Sequence, residues 1–218
     1  MLDSLLDFIK QYIRLNFGRS RYLRAEREFS RVVHKLKPGD VAIDCGANIG
    51  SVALRLAKTG ATVFAFEPDP IAFDQLRTVS ERFANLTIYQ KAVADRSGLV
   101  QLFRGKNFLS DPLNQTVSSS ILKEKSNVDE SNAVYVEQVD LLAFINEIGK
   151  PVKLLKLDVE GSEVCILEAL FDSPIVDRID RMFVETHTRT FPHFSKRYES
   201  IREVVAERFS KKINLDWK

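Results

Sequence analysis

The chain has 218 residues, of which 44% are hydrophobic and 28% charged, enough for one sizeable core and little beyond it. A net charge of +2 is too small to imply a nucleic-acid partner, and no apolar run approaches the roughly twenty residues that span a bilayer. The N-terminus lacks the apolar core and cleavage site of a signal peptide, so the expected compartment is the cytoplasm, where Cys45 and Cys165, without metal-ligand spacing around them, read as small reduced thiols.

Residues 1–16 carry Leu2, Leu5, Leu6, Ile9, Tyr12 and Ile13 on one side and Asp3, Asp7, Lys10 and Arg14 on the other, the spacing of an amphipathic helix. The first 37 residues hold nine Lys/Arg against four Asp/Glu, so residues 1–35 read as a basic helical arm ahead of a domain over 36–218. The arm's apolar stripe docks on the domain or a second subunit, giving a homo-oligomer, or lies on an anionic membrane near a lipid-linked acceptor; the sequence leaves these open. The turn Lys37-Pro38-Gly39-Asp40 launches an apolar strand ending in Asp44, and Gly46 and Gly50 then lead into a helix from Ser51 to Lys58. Strand, tight turn and helix make the opening unit of a nucleotide-binding sheet. Glycine is needed there because a side chain would hold a ligand off the backbone, while the helix N-terminus offers unpaired N–H donors.

A second strand, Thr62–Phe66, ends in Glu67-Pro68, placing an acid about twenty residues past the turn, where a ribose diol sits on a parallel sheet. The dinucleotide fingerprint G-x-G-x-x-G is absent, which opposes a nicotinamide dehydrogenase, and an acid ahead of the loop suits a cationic ligand better than a pyrophosphate. After the break Pro68-Asp69-Pro70, the spacing of Ile71, Phe73, Leu76, Val79 and Phe83 predicts a helix, and Leu86–Val93 a third strand. Gly98–Phe103 and Ala133–Val139 alternate as extra strands. The polar connection 104–132 between them, with Ser119 and Ser120, is either a lid that reaches the cofactor or substrate, or a solvated loop.

Asp140 caps a helix that Gly149 ends, and Val152–Leu157 is a strand that delivers Asp158 to its carboxyl end. Glu160 and Glu163 follow at once, with Gly161 in the turn and Ser162 suited to cap the helix Glu163–Phe171. Carboxylates this close raise one another's pKa unless cations or hydrogen bonds offset them. The strand Ile179–Val184 leads into Glu185-Thr186-His187, which places Asp158 and Glu185 at neighbouring strand ends. Tyr198, Ile201, Val204, Val205 and Phe209 predict a last helix, and Ile213–Trp217 a final strand.

Asp44-x-Gly46-Ala47-Asn48-x-Gly50, the acid of Phe66-Glu67-Pro68 and the run Lys156-Leu157-Asp158-Val159-Glu160-Gly161-Ser162-Glu163 resemble the FkbM family of S-adenosylmethionine-dependent O-methyltransferases, over about Leu36 to Thr188. The first motif points to class I methyltransferases at large; the Asp-Val-Glu-Gly-Ser-Glu segment makes the resemblance specific. It implies a Rossmann-like class I methyltransferase α/β fold, a mostly parallel doubly wound sheet with helices on both faces. It further implies S-adenosylmethionine held by Asp44, Gly46, Ala47, Asn48, Gly50, Glu67, Pro68 and Asp158, with Ala92 and Asp95 near the adenine, although Asp95 also fits a plain turn. Class I methyltransferases normally add an antiparallel strand that this chain is too short to supply, so the C-terminal sheet edge is incomplete or covered by a partner.

Methyl transfer to a hydroxyl gains from a base. His187 has the intrinsic pKa for it, with Glu185 to orient the ring; a structural histidine in the loop 186–192 fits equally, and His34 and His193 read as surface or packing residues. Asp158 and Glu185, with Glu160, are also hard oxygen ligands of the kind Mg²⁺ accepts, or partners for the methionine ammonium and acceptor hydroxyls. The Asn/Asp-Pro-Pro-Tyr type of motif of N-methyltransferases is missing. The expected function is O-methylation of a hydroxyl on a sugar, glycan, glycolipid or natural product. The alternative is a non-catalytic S-adenosylmethionine-binding or assembly partner in glycan synthesis.

Overall fold

The structure, a computed structural model, describes residues 20–105, 119–122 and 128–217. The apolar stripe expected over residues 1–16 lies outside the described residues. Helix α1 occupies 20–33 and is followed by β1 (Val41–Cys45), α2 (Ser51–Ala57), β2 (Thr62–Phe66), α3 (Pro70–Ser80) and β3 (Leu86–Tyr89). Next come β4 (Lys91–Ala94), β5 (Gly98–Gly105), β6 (Val128–Asp140), α4 (Leu141–Ile148), β7 (Val152–Leu157), α5 (Glu163–Phe171), β8 (Ile179–Glu185), α6 (Ser195–Val204) and β9 (Ile213–Trp217).

Six strands form a parallel sheet in the order β3-β2-β1-β7-β8-β9. The chain winds outward from β1 and returns at β7, so the strand order reverses between them, and in open α/β sheets that is where ligands bind. The strands alternate their apolar residues to two faces. Ala42, Leu154 and Phe183 point to one side, packed with Phe29 and Leu56, while Ile43, Leu155 and Met182 point to the other, packed with Ile166 and Leu167. Helices therefore cover both faces, as the resemblance implies.

The strand expected over Leu86–Val93 is two strands. β3 leaves the main sheet after Tyr89, which stacks on Phe66 at a centroid distance of 4.8 Å. β4 then pairs in parallel with β6, itself antiparallel to β5, in a separate three-stranded sheet. Alternation of side chains continues through Gln90, and alternation cannot reveal a change of partner. Among the described residues no antiparallel strand joins the main sheet, and β9 pairs in parallel directly with β8. The last helix ends at Val204 and continues as a wider π turn over Val205–Phe209.

Helix α1 buries Ala25 and Phe29 completely and Val33 largely, the stripe spacing of an amphipathic helix, and Leu36 just beyond its end is also covered. Phe29 lies 4.2 Å from the Trp217 ring and 5.2 Å from that of Phe183. Glu26 and Ser30 receive Arg55 Nη2 at 2.8 and 2.9 Å, and Asn214 Nδ2 donates to Glu28 at 2.7 Å. This part of the basic N-terminal segment thus packs on the sheet. No described helix is long and apolar enough to cross a membrane.

Candidate active site

At the carboxyl ends of β1 and β7 the backbones nearly touch. Asp158 N donates to Cys45 O at 3.1 Å, and a Cβ on Gly46, whose φ is +76°, would stand 1.7 Å from Asp158 O. Only glycine fits. At Gly50, whose φ is +90°, a Cβ would meet Leu76 Cδ1 of α3 at 2.9 Å.

Beside this junction lies a cleft of about 270 Å³. Gly46, Asn48, Glu67, Pro68, Ala92, Asp158, Glu160 and Glu185 line it, together with Ser119 and Ser120. Ala47 is buried, its N–H donating to Phe66 O at 2.8 Å, and Asp44 lies fully buried; neither is among the lining residues. Asp95 is also off the lining and sits in a bend, its carboxylate 3.6 Å from Arg96 Nε.

Glu67 is 5% exposed and accepts the N–H of Asn48 and of Asp69, each at 2.8 Å. Burial is the main reason its pKa is pushed up to about 7. Both carboxylate oxygens retain lone pairs for a ribose diol. Asn48 at φ +48° and Glu160 at φ +53° hold left-handed backbone, uncommon outside glycine and concentrated at functional sites.

Lys156 is the residue that sequence reasoning passed over. It is nearly buried, and its Nζ donates to Gly46 O at 2.7 Å and Cys45 O at 3.3 Å, with Asp44 and Asp158 each 3.4 Å away. Burial works against its charge, yet Asp158 and Asp44 overcome that and hold its pKa above the ordinary value. Asp44 itself is raised, chiefly by burial. The run Val152–Leu157 holds two lysines, of which Lys153 pairs with Asp180 at the surface and Lys156 is buried, where a lysine needs carboxylate company.

His187 is held by Glu163 rather than by Glu185. Glu163, fully buried, accepts His187 Nδ1 at 3.0 Å, His187 N at 3.2 Å, the Tyr198 hydroxyl at 2.5 Å and Gly161 N at 2.7 Å. The other ring nitrogen, Nε2, stands 3.3 Å from Glu160 and 3.7 Å from Asp158. Burial alone would lower the His187 pKa, but the hydrogen bond to Glu163 and the charges of Glu163, Glu160 and Asp158 outweigh it and raise it to about 9. Glu185 is raised to about 7, mainly by burial and then by Asp158. Ligand atoms of Asp158, Glu185 and His187 all lie within 4.8 Å of one another.

Ser162 makes no side-chain cap for α5, contrary to expectation. Its hydroxyl is buried, lines the cleft and has no hydrogen-bond partner among the described residues. Its backbone is already helical, so the side chain cannot reach back to the first-turn N–H groups, and Glu163 takes Gly161 N instead. Part of the long polar connection does reach the site. Ser120 Oγ donates to Glu160 O at 2.7 Å, and Asp69, which caps α3, holds Arg104 Nε at 2.9 Å and Ser119 Oγ at 3.4 Å. His34 and His193 are exposed, the latter packed on Phe194 at 4.1 Å.

Residues 44–209 match the family model for the methyltransferase FkbM domain. Hexuronic acid methyltransferase AglP of Haloferax volcanii is 30% identical over 175 residues, covering 80% of this chain and 67% of that protein. The 31-O-demethyl-FK506 methyltransferase FkbM of Streptomyces tacrolimicus is 32% identical over 205 residues, covering 79% and 76%. The 2-O-methyltransferase NoeI of Sinorhizobium fredii is 30% identical over 136 residues, covering 58% and 56%.

Proposed function

The chain belongs to the FkbM methyltransferase family, an S-adenosylmethionine-dependent family, and on that premise we propose that it methylates a hydroxyl oxygen of a sugar, glycan or related natural product. The observation that carries this reading is that a buried Glu67 lines the same cleft as Asp158, Glu160 and Glu185. S-adenosylmethionine, when bound, supplies an electrophilic methyl group on a sulfonium cation. The cleft fits it: Glu67 is suited to the ribose diol, Ala92, Leu102 and Ile121 offer apolar surface to a purine, and the carboxylates favour a cation.

The acceptor oxygen must be held in line and dry, so positioning and the exclusion of water contribute most of the acceleration. Ser119 and Ser120 line the cleft, their hydroxyls donating to Asp69 and to Glu160 O. Asp158 is offset by Lys156, which leaves Glu160 and Glu185 as the lining carboxylates able to take the hydroxyl proton while the new C–O bond forms and the C–S bond breaks. His187 and Glu163 act behind them, holding Glu160 in its left-handed turn. In a second reading Asp158 and Glu185 would hold a divalent cation, which would supply Lewis-acid polarisation of the acceptor oxygen; the approach of their ligand atoms supports it.

The test is calorimetric titration with S-adenosylmethionine and with NAD, followed by transfer of labelled methyl to a panel of sugar and glycolipid acceptors. Binding of S-adenosylmethionine alone and an O-methyl product are expected, with turnover lowered about 10²–10⁴-fold in Glu160→Gln or Glu185→Gln. Product methylated on nitrogen, or no cofactor binding, would overturn the reading.

A further inference from the structure

Five carboxylates, Asp44, Asp158, Glu160, Glu163 and Glu185, surround the ends of β7 and β8, close to the Lys156 ammonium and the His187 imidazole. Like charges crowded at this depth favour an added cation. Three of these side chains offer ligand atoms to one point, since an oxygen of Asp158, an oxygen of Glu185 and a ring nitrogen of His187 lie mutually within 4.8 Å.

The imidazole is also set as a metal-bound imidazole is set. Its Nδ1 is engaged by the buried Glu163 carboxylate at 3.0 Å, which turns Nε2 toward Asp158 and Glu160. A histidine ligand characteristically donates its other N–H to such a carboxylate, which fixes both tautomer and ring direction. Tyr198 and the N–H groups of Gly161 and His187 in turn hold Glu163, so the ring's direction is fixed from three elements. A separate observation points to an occupant. The Ser162 hydroxyl, nearly buried and lining the same cleft, has no hydrogen-bond partner among the described residues.

We propose that Asp158, Glu185 and His187 form a site for one divalent transition-metal ion, with Glu163 as the acceptor that aims the imidazole. The inference rests on the methyltransferase reading and deepens it. One nitrogen and two carboxylates are a mixed donor set that suits Mn²⁺, Fe²⁺, Co²⁺ or Zn²⁺ better than Mg²⁺, which prefers an all-oxygen shell. With the ion bound, Glu185 is a ligand and Glu160 remains as the proton acceptor.

The full-length protein, stripped with EDTA, is titrated with Mn²⁺ by calorimetry, and the bound ion's electron spin echo is read for nitrogen coupling. One Mn²⁺ per chain, a nitrogen modulation from imidazole and binding at least ten-fold tighter than Mg²⁺ are expected. His187→Ala abolishes the modulation and weakens binding ten-fold or more. Glu163→Gln keeps the modulation and weakens binding about 10–100-fold. The wild-type spectrum stands whether or not either variant folds. Bound Mn²⁺ without nitrogen coupling, or no Mn²⁺ binding, overturns the site. S-adenosylmethionine titrated into the same stripped sample separates the two readings: cofactor binding and turnover in EDTA without a metal site sink only the metal, and metal binding without cofactor binding sinks the methyltransferase assignment.

Discussion

Replacing Glu67 by Gln separates what this carboxylate costs the fold from what it gives the ligand. Burial raises its pKa from the ordinary 4.5 to about 7. Between those values the native chain holds a proton that the unfolded chain has released. Stability therefore falls as pH rises through the window, and the full cost, about 3 kcal/mol, is reached above it. Gln carries no charge and escapes that cost. Its amide NH₂ must, however, face one of the two backbone N–H groups, of Asn48 or Asp69, that the carboxylate accepts, and this forfeits about 1 kcal/mol or more. Urea denaturation of both proteins at about pH 5 and about pH 8 reads the difference. The variant gains about 2–3 kcal/mol on the wild type between the two pH values and ends level with it or somewhat more stable at the higher one. Over the same interval it binds S-adenosylmethionine on the order of ten-fold more weakly at the higher pH, because a charged acceptor for the ribose diol is gone. Parallel stability profiles for the two proteins would refute the reasoning, since Glu67 would then titrate alike folded and unfolded.

Lys156→Met leaves the buried Asp44 without its cation and two carbonyls without a donor, so a loss of about 3–5 kcal/mol is expected at neutral pH. The loss is smaller in acid, where Asp44, already raised by burial, takes up a proton; urea denaturation showing less than about 1 kcal/mol at neutral pH would remove the staple role. Phe29→Ala opens a hole against Phe183 and Trp217 and is expected to cost about 3–5 kcal/mol in the same assay. A loss near zero would mean that α1 is not part of the folded unit.

Much of this protein is written locally. The apolar run Val41–Cys45, the glycines that follow it and the acid after β2 are consequences of backbone geometry and of the alternation of side chains across a sheet, and both are properties of neighbouring residues. Gly46 was legible for that reason, although the obstacle that requires glycine, the carbonyl of Asp158, lies more than a hundred positions away. Asp140 and Gly149 as helix caps were legible on the same local grounds.

What the sequence could not carry is the company each side chain keeps. His187 has an ordinary intrinsic pKa and looks like a base; three carboxylates, Asp158 and Glu160 after β7 and Glu163 at the start of α5, raise its pKa to about 9 against the effect of burial. Lys156 looked like one more strand residue until β1 came beside β7 and set Asp44 and two carbonyls around it. The break at Gln90 follows from a change of strand partner, from β2 to β6. Motif and local fold depend on short-range sterics, which the order of residues determines by itself. Charge state, ligand geometry and strand partners depend on long-range packing and desolvation, which only the folded chain decides.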